Sequence, residues 1–219
     1  SSAPTTTGDL HLQAGSPAIE AGTSMGAPAT DLDGNPRPSI CAFDIGAYEF
    51  QGTVLLPTAS CQNATIEVDA MGQSTLDPLE VDNGSTADCG LQNMTVAPNT
   101  FDCSHIGTPQ SVTLTVTDVN NNTATCSATV TVQDNTPPTA VCLNPTIGLD
   151  ANGQASITTA DVFDAANSSD NCGNPYPVFV TPNTFDCSNI GANTVTLQII
   201  DLHGNTALCN ATVTVVDNI

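Results

Sequence analysis

Nine cysteines are the residues of this 219-residue chain best placed to do chemistry. Eight of them form a pattern of four that occurs twice: Cys61, Cys89, Cys103 and Cys126, then Cys142, Cys172, Cys187 and Cys209. Corresponding cysteines lie 81, 83, 84 and 83 residues apart. A zinc site would want paired C-x-x-C spacings, whereas the closest two cysteines here are 14 residues apart. The chemistry that fits is oxidation to disulfides in a compartment outside the cytosol. Spacing does not fix the pairing, because four cysteines allow three connectivities. Cys41 stands outside the pattern, and its partner is expected either upstream of Ser1 or nowhere, as a buried free thiol.

Carboxylates are the second group. Asp164, Asp170 and Asp201 are expected to gather at the top of the second repeat, beside the linker Asp134-Asn135-Thr136-Pro137-Pro138. Asp69 and Asp102, at the bottom of the first repeat, would face them. Asp82, Asp88 and Asp118 form the matching set at the upper joint. Several carboxylates and backbone carbonyls at a joint can supply the oxygens that Ca²⁺ takes. The competing reading is that these are turn-forming aspartates. Asp31-Leu32-Asp33-Gly34-Asn35 resembles a calcium loop, but its glycine comes too early and no bidentate glutamate follows, so it reads as a tight turn. No other cofactor is implied.

Catalysis finds little support. His11, His105 and His203 do not share positions between the repeats. There is no G-x-S-x-G, no H-E-x-x-H and no phosphate loop. Arg37 is the single basic residue against 22 acidic ones, for a formal charge of −21. That balance excludes phosphate-tracking nucleic-acid binding and suits a chain bathed in salt or divalent cations. No run of 18 apolar residues is present to span a membrane.

The elements that must position these groups are strands. Val112, Leu114 and Val116 alternate with threonines, as do Ala128, Val130 and Val132. The second repeat offers Val195, Leu197 and Ile199, then Ala211, Val213 and Val215. Period two with threonine outside predicts half-buried strands. Asn120-Asn121-Asn122 and His203-Gly204-Asn205 predict hairpin turns. No stretch shows a 3.6-residue apolar period. The first strand holds Cys61 or Cys142 and then breaks at Ala64 or Pro145, which predicts a sheet edge or a crossing between sheets. The expectation is all-β, with two tandem disulfide-linked sandwiches at 57–137 and 138–219 after a distinct segment at 1–56.

The repeats resemble HYR domains, an immunoglobulin-like family of extracellular adhesive proteins. The resemblance rests on PTASC, IGTPQSVTLTVTD, the NNN turn and TATCSATVTV. In that family the cysteine of the first strand pairs with that of the last. This implies Cys61–Cys126 and Cys142–Cys209, and leaves Cys89–Cys103 and Cys172–Cys187 to clamp the middle strands. Residues 1–56 are similar to the closing coil of bacterial pectin-lyase-like parallel β-helices, through GDLHLQAGSPAIEAG, ATDLDGNPRPS and FDIGAYEF. That resemblance implies a β-helix cap whose last strand is DIGAYE.

These readings predict a structural and adhesive stalk segment of a large secreted or cell-surface bacterial protein, with a further repeat after Ile219. Its partners would be neighbouring repeats or subunits, surface glycans or other cells. Two alternatives are a filament subunit assembled by strand-edge pairing and the non-catalytic tail of a polysaccharide-degrading β-helix enzyme. Sequons at Asn63, Asn83, Asn93, Asn121, Asn167 and Asn210 are expected by chance in so Asn- and Thr-rich a chain.

Overall fold

The computed structural model describes residues 11–14, 16–19, 21–38, 41–52 and 56–218. Gly8, Asp9, Leu10, Gly15, Glu20 and Ser39 of the expected coil lie outside the described residues. Strands dominate. The first repeat supplies β1 (Ala64–Glu67), β2 (Gln73–Thr75), β3 (Leu91–Ala97), β4 (Thr100–Asp102), β5 (Gln110–Asp118) and β6 (Thr123–Gln133), with one helical turn, α1 (Pro78–Val81). The second supplies β7 (Thr146–Gly148), β8 (Gln154–Ser156), β9 (Tyr176–Thr181), β10 (Thr184–Asp186), β11 (Gly191–Ile200) and β12 (Thr206–Val216), with α2 (Thr159–Val162). The strand orders are β1-β6-β5-β3 with β2-β4, then β7-β12-β11-β9 with β8-β10. The fold is therefore all-β, and the duplicated order is the sequence repeat made structural. By compactness the chain divides differently. One unit holds Ser1–Ala64, Leu76–Asn99 and Ser111–Thr129, and the other Thr65–Thr75, Thr100–Gln110 and Val130–Ile219.

In the first unit β3 and β5 pair antiparallel, from Leu91 opposite Asp118 to Ala97 opposite Thr113. The alternating residues Val112, Leu114 and Val116 are buried there, with Leu76, Val81 and Val96. The turn α1 escapes a periodicity search because one turn cannot display a period. Its signal is the capping box Asp77-Pro78-Leu79-Glu80. Leu79 N–H donates to the Asp77 carboxylate at 2.8 Å, and Asp77 N–H to that of Glu80 at 2.9 Å.

The described residues of 11–56 contain turns and bends in place of strands, apart from one bridge between Thr30 and Pro36. The expected strand at 44–49 is absent. Side chains take the backbone groups that a ladder would use: Phe50 N–H donates to the Asp44 carboxylate at 2.6 Å, and Asp44 N–H to that of Glu49 at 3.2 Å. Arg37 closes the knot, its Nε 2.6 Å from Glu49 Oε1 and its Nη2 3.0 Å from the carbonyl of Gly46.

In the second unit β11 and β12 form a long hairpin, from Gly191 opposite Val215 to Ile200 opposite Thr206. β9 flanks β11 antiparallel, and β7 flanks β12 in parallel. Val195, Leu197, Ile199, Ala211, Val213 and Val215 face one core with Leu149, Ile157, Val162, Val180 and Phe185. Cys142 bridges Phe163 before Pro145, and β7 joins β12 after it. The first strand thus changes partner at the proline and ends on a sheet edge, where a missing N–H costs nothing. Asn144 bridges the gap: Thr212 N–H donates to its Oδ1 at 2.7 Å.

Candidate functional site

Three of the nine candidate calcium aspartates, Asp69, Asp118 and Asp201, begin a five-residue loop that the chain uses five times. Asp31–Asn35, Asp69–Gln73, Asp118–Asn122, Asp150–Gln154 and Asp201–Asn205 all begin with aspartate and turn through a positive φ at the fourth residue, from 64° at Asn121 to 99° at Gly204. In each, the aspartate carboxylate accepts N–H bonds from the third and fifth residues. For Asp118 these are 2.9 Å from Asn120 and 2.8 Å from Asn122. For Asp201 they are 2.8 Å from His203 and 2.9 Å from Asn205. A fifth-position asparagine adds its own amide, as Asn205 does at 2.8 Å. Burial pushes Asp31 up, but N–H donors from Asn35, Glu49 and Asp33 outweigh it and hold the carboxyl at about 2.

Other candidates are also spent on local caps. Asp82 accepts from Gly84 and Ser85, Asp102 from Ser104, and Asp164 from Asn167. Asp88 lies in the turn at Cys89. Among the described residues Asp82, Asp88 and Asp118 form no metal-competent group, so the expected upper-joint set is not assembled.

One group does assemble, within the second unit. Asp134, Asp170 and Asp201 each place a carboxylate oxygen within 4.8 Å of the others. Asp134 and Asp201 are buried. His203 Nδ1 stands 3.2 Å from Asp134 Oδ2. Asn171 donates its amide to the carbonyl of Asp69 at 3.0 Å and to Asp134 Oδ1 at 3.3 Å. Both partners are acceptors, which fixes the amide orientation. Asn171 Oδ1 and Asp170 Oδ1 are both buried with no hydrogen-bond partner. Burial pushes the Asp170 carboxyl up, the Cys172 N–H pulls it down, and the neighbouring Asp134 and Asp201 carboxylates push it up again. Asp164, Asp102 and the carboxylate of Asp69 stay outside this group. Asp134, Cys172 and His203 also converge, but Cys172 is held in a disulfide and offers no thiolate.

The disulfides depart from the expected set at the middle cysteines. Cys61–Cys126 and Cys142–Cys209 are bonded, with Cα–Cα distances of 5.9 Å in both. Cys89–Cys103 and Cys172–Cys187 are not formed. Cys89 pairs with Cys41, which is therefore neither free nor dependent on an upstream partner. Cys103 pairs with Cys172, and Cys187 is a free, exposed thiol. The reason is topological. Cys172 precedes β9 and Cys187 follows β10, but β10 pairs with β8 and not with β9. The six residues of β9 then carry the chain about 20 Å away, at roughly 3.3 Å per residue, beyond the reach of a disulfide. The odd cysteine count was the available signal: each repeat's second cysteine bonds backward along the chain, the first repeat's third bonds forward, and the second repeat's third is left over.

The histidines serve local structure. His11 contacts Asp33, His105 caps the turn at Asp102, and His203 meets Asp134. Sequence reasoning missed Asn171 and His203 at the carboxylate group; Asn171, directly before Cys172, is drawn there by the disulfide. No helix among the described residues is long and apolar enough to cross a membrane.

No family model matches the chain. Hyalin of Lytechinus variegatus is 28% identical over 190 residues, which cover 84% of this chain and 34% of that protein. Hyalin of Strongylocentrotus purpuratus is 29% identical over 192 residues, 85% of this chain and 15% of that protein. The chain thus spans about a third of one curated relative and about a seventh of the other. Among solved structures, cadherin domains 1–4 of protocadherin gamma B7 align with a TM-score of 0.34 and 12% identity, over 75% of this chain and 51% of theirs. The I-band fragment I67–I69 from titin aligns with a TM-score of 0.33 and 12% identity, over 75% of this chain and 67% of that one. At these low scores neither likeness carries an argument, and the tandem all-β architecture rests on the strand order itself.

Proposed function

We propose that the chain is an extracellular adhesive module, a covalently reinforced stretch of immunoglobulin-like repeats in a longer surface array. The observation that carries this reading is the Cys103–Cys172 bridge, which joins a cysteine of the first repeat to one of the second. Enzymes seldom need such a staple between repeats, whereas a load-bearing array does. The relatives named Hyalin and the acidic, disulfide-rich composition support it. Neighbouring repeats are its first partners, and surface glycans or other cells are the outer ones. The bacterial source and the β-helix cap belong to the same proposal and rest on the resemblance of residues 1–56. Beads coated with the protein test the adhesive role: they should cluster or attach to cells. Beads that stay as dispersed as albumin-coated controls overturn it.

We also propose that Asp134, Asp170 and Asp201, with Asn171 Oδ1, hold a calcium ion. Carboxylate oxygens of the three aspartates within 4.8 Å of one another suit a shared ion bound at 2.3–2.6 Å. Two buried oxygens without donors support the reading. Melting in Ca²⁺ and in EDTA tests it, and coincident curves sink it.

A further inference from the structure

Cys187 occupies the place in the second repeat that Cys103 occupies in the first, and the resemblance extends to the atoms around the sulfur. Cys103 follows Asp102, which accepts from Ser104 N–H at 2.9 Å; Cys187 follows Asp186, which accepts from Ser188 N–H at 2.7 Å. Asp102 N–H donates to His105 Nδ1 at 3.1 Å, and Asp186 N–H to Asn189 Oδ1 at 2.9 Å. Cys103 Sγ lies 3.6 Å from the carbonyl of Gly72, and Cys187 Sγ lies 3.7 Å from that of Gly153. Both glycines have φ of 72°. A Cβ on either would stand 2.7 Å from the adjacent cysteine sulfur. The two repeats therefore shape the same cradle around the same thiol.

They differ in what meets it. In the first repeat Cys172 closes the disulfide, and the carbonyl of Asn171 comes within 3.5 Å of Cys103 Sγ. Asn171 also donates to the carbonyl of Asp69, the first residue of the loop that ends beside Gly72. In the second repeat the equivalent loop, Asp150–Gln154, is built the same way, yet Cys187 remains an exposed thiol. An open cavity of about 600 Å³, lined by Asp150, Gln154, Phe185 and Asp186, flanks it.

We propose that Cys187 forms an inter-repeat disulfide with a further sandwich repeat, one that presents a cysteine in the position Cys172 holds here. The occupant is a repeat of this kind because the cradle that receives Cys172 is reproduced in the second copy down to its glycine. Bond formation removes two protons and two electrons from the two thiols. The acceptor is a protein disulfide of an oxidising compartment, reduced to a dithiol by exchange through a mixed disulfide. This rests on the covalent-array reading and names the next link.

The test extends the full chain by a second copy of residues 137–219, appended after Ile219. Non-reducing peptide mapping should recover the Cys187 peptide bonded to the added copy's Cys172 peptide. Thiol titration should find one free cysteine per molecule both before and after extension, since the added copy brings its own terminal thiol. Replacing the added copy's Cys172 with serine should return Cys187 to alkylation. Cys187 that remains alkylatable beside an unmodified added copy overturns the proposal, and so does a Cys187–Cys187 bond between molecules. Either result would leave bead adhesion, and with it the proposed function, untouched.

Discussion

Residues 11–52 and the second repeat solve the same problem with opposite materials. Among the described residues of the first stretch the buried side chains are Asp31, Asp44 and Glu49. In the second repeat they are, apart from Ser168 and Asp201, the hydrocarbons of β11, β12 and their neighbours, with Phe185 as the large aromatic. A buried carboxylate stabilises nothing by itself and must be matched donor for donor. A buried leucine needs only the absence of water and close neighbours. The first stretch is thus specific but brittle, tied to the first repeat through Cys41–Cys89. The second is robust to small polar changes and sensitive to lost volume.

The largest expected effect tests the brittle side. Arg37→Ala leaves Glu49 buried without its cation and should destabilise the stretch by about 3–5 kcal/mol. Hydrogen exchange over residues 41–52 is the readout. Arg37→Met with Glu49→Leu should restore most of the loss, and failure to do so would mean that geometry rather than charge holds the knot. Next comes the apolar side. Leu197→Ala should lower the denaturant-derived stability of the second repeat by about 2–5 kcal/mol while exchange at 41–52 stays unchanged. Coupled loss in both places would erase the contrast. Cys142→Ser with Cys209→Ser should cost about 2–4 kcal/mol, seen as a lower melting temperature without loss of strand content.

Two smaller effects concern charge. Asp170→Asn removes repulsion from Asp134 and Asp201, so in EDTA it should raise the melting temperature by a few degrees and abolish any calcium-dependent rise. A lowered melting temperature in EDTA would show that the carboxylate is already compensated. Asp31 has the opposite sign. Its folded pKa is depressed, so its contribution is present above the unfolded value of 3.8 and is lost as pH falls toward about 2. Exchange protection at Asn35 and Glu49 should therefore fail through that window before the second repeat's core opens. Simultaneous opening would argue that the loop draws its order from elsewhere.

Much of the sandwich is legible in the sequence. The alternation through Val195, Leu197 and Ile199 suffices to face them inward, since a period of two leaves one side for water. Pro145 marks the change of partner because it cannot donate. The carboxylate group is half legible. Asp134, Asp170 and Asp201 can be nominated from position along the chain, but Asp164, Asp102 and Asp69 look alike to that argument. All of them accept a nearby N–H, and what separates them is that, among the described residues, the fold brings carboxylate oxygens of Asp134, Asp170 and Asp201 alone within 4.8 Å of one another. The middle disulfides are the least legible part. Cys89 and Cys103 are close in sequence, and nothing in spacing reveals that β4 leaves β3 to pair with β2. The five repeated Asp loops, in contrast, are written openly as D-x-x-G or D-x-x-N followed by Asn or Gln, and need only be compared with one another.

The bridges themselves interlock. Cys41–Cys89, Cys61–Cys126, Cys103–Cys172 and Cys142–Cys209 span overlapping intervals, each beginning before the previous one ends. Every peptide bond from Cys41 to Cys209 lies inside at least one closed ring. A protease that cuts this stretch once therefore releases nothing, and the nicked molecule migrates as a single band until a reductant is added. The chain is built like overlapping roof tiles, so that damage to the backbone at one point is carried by the sulfur of the tiles on either side.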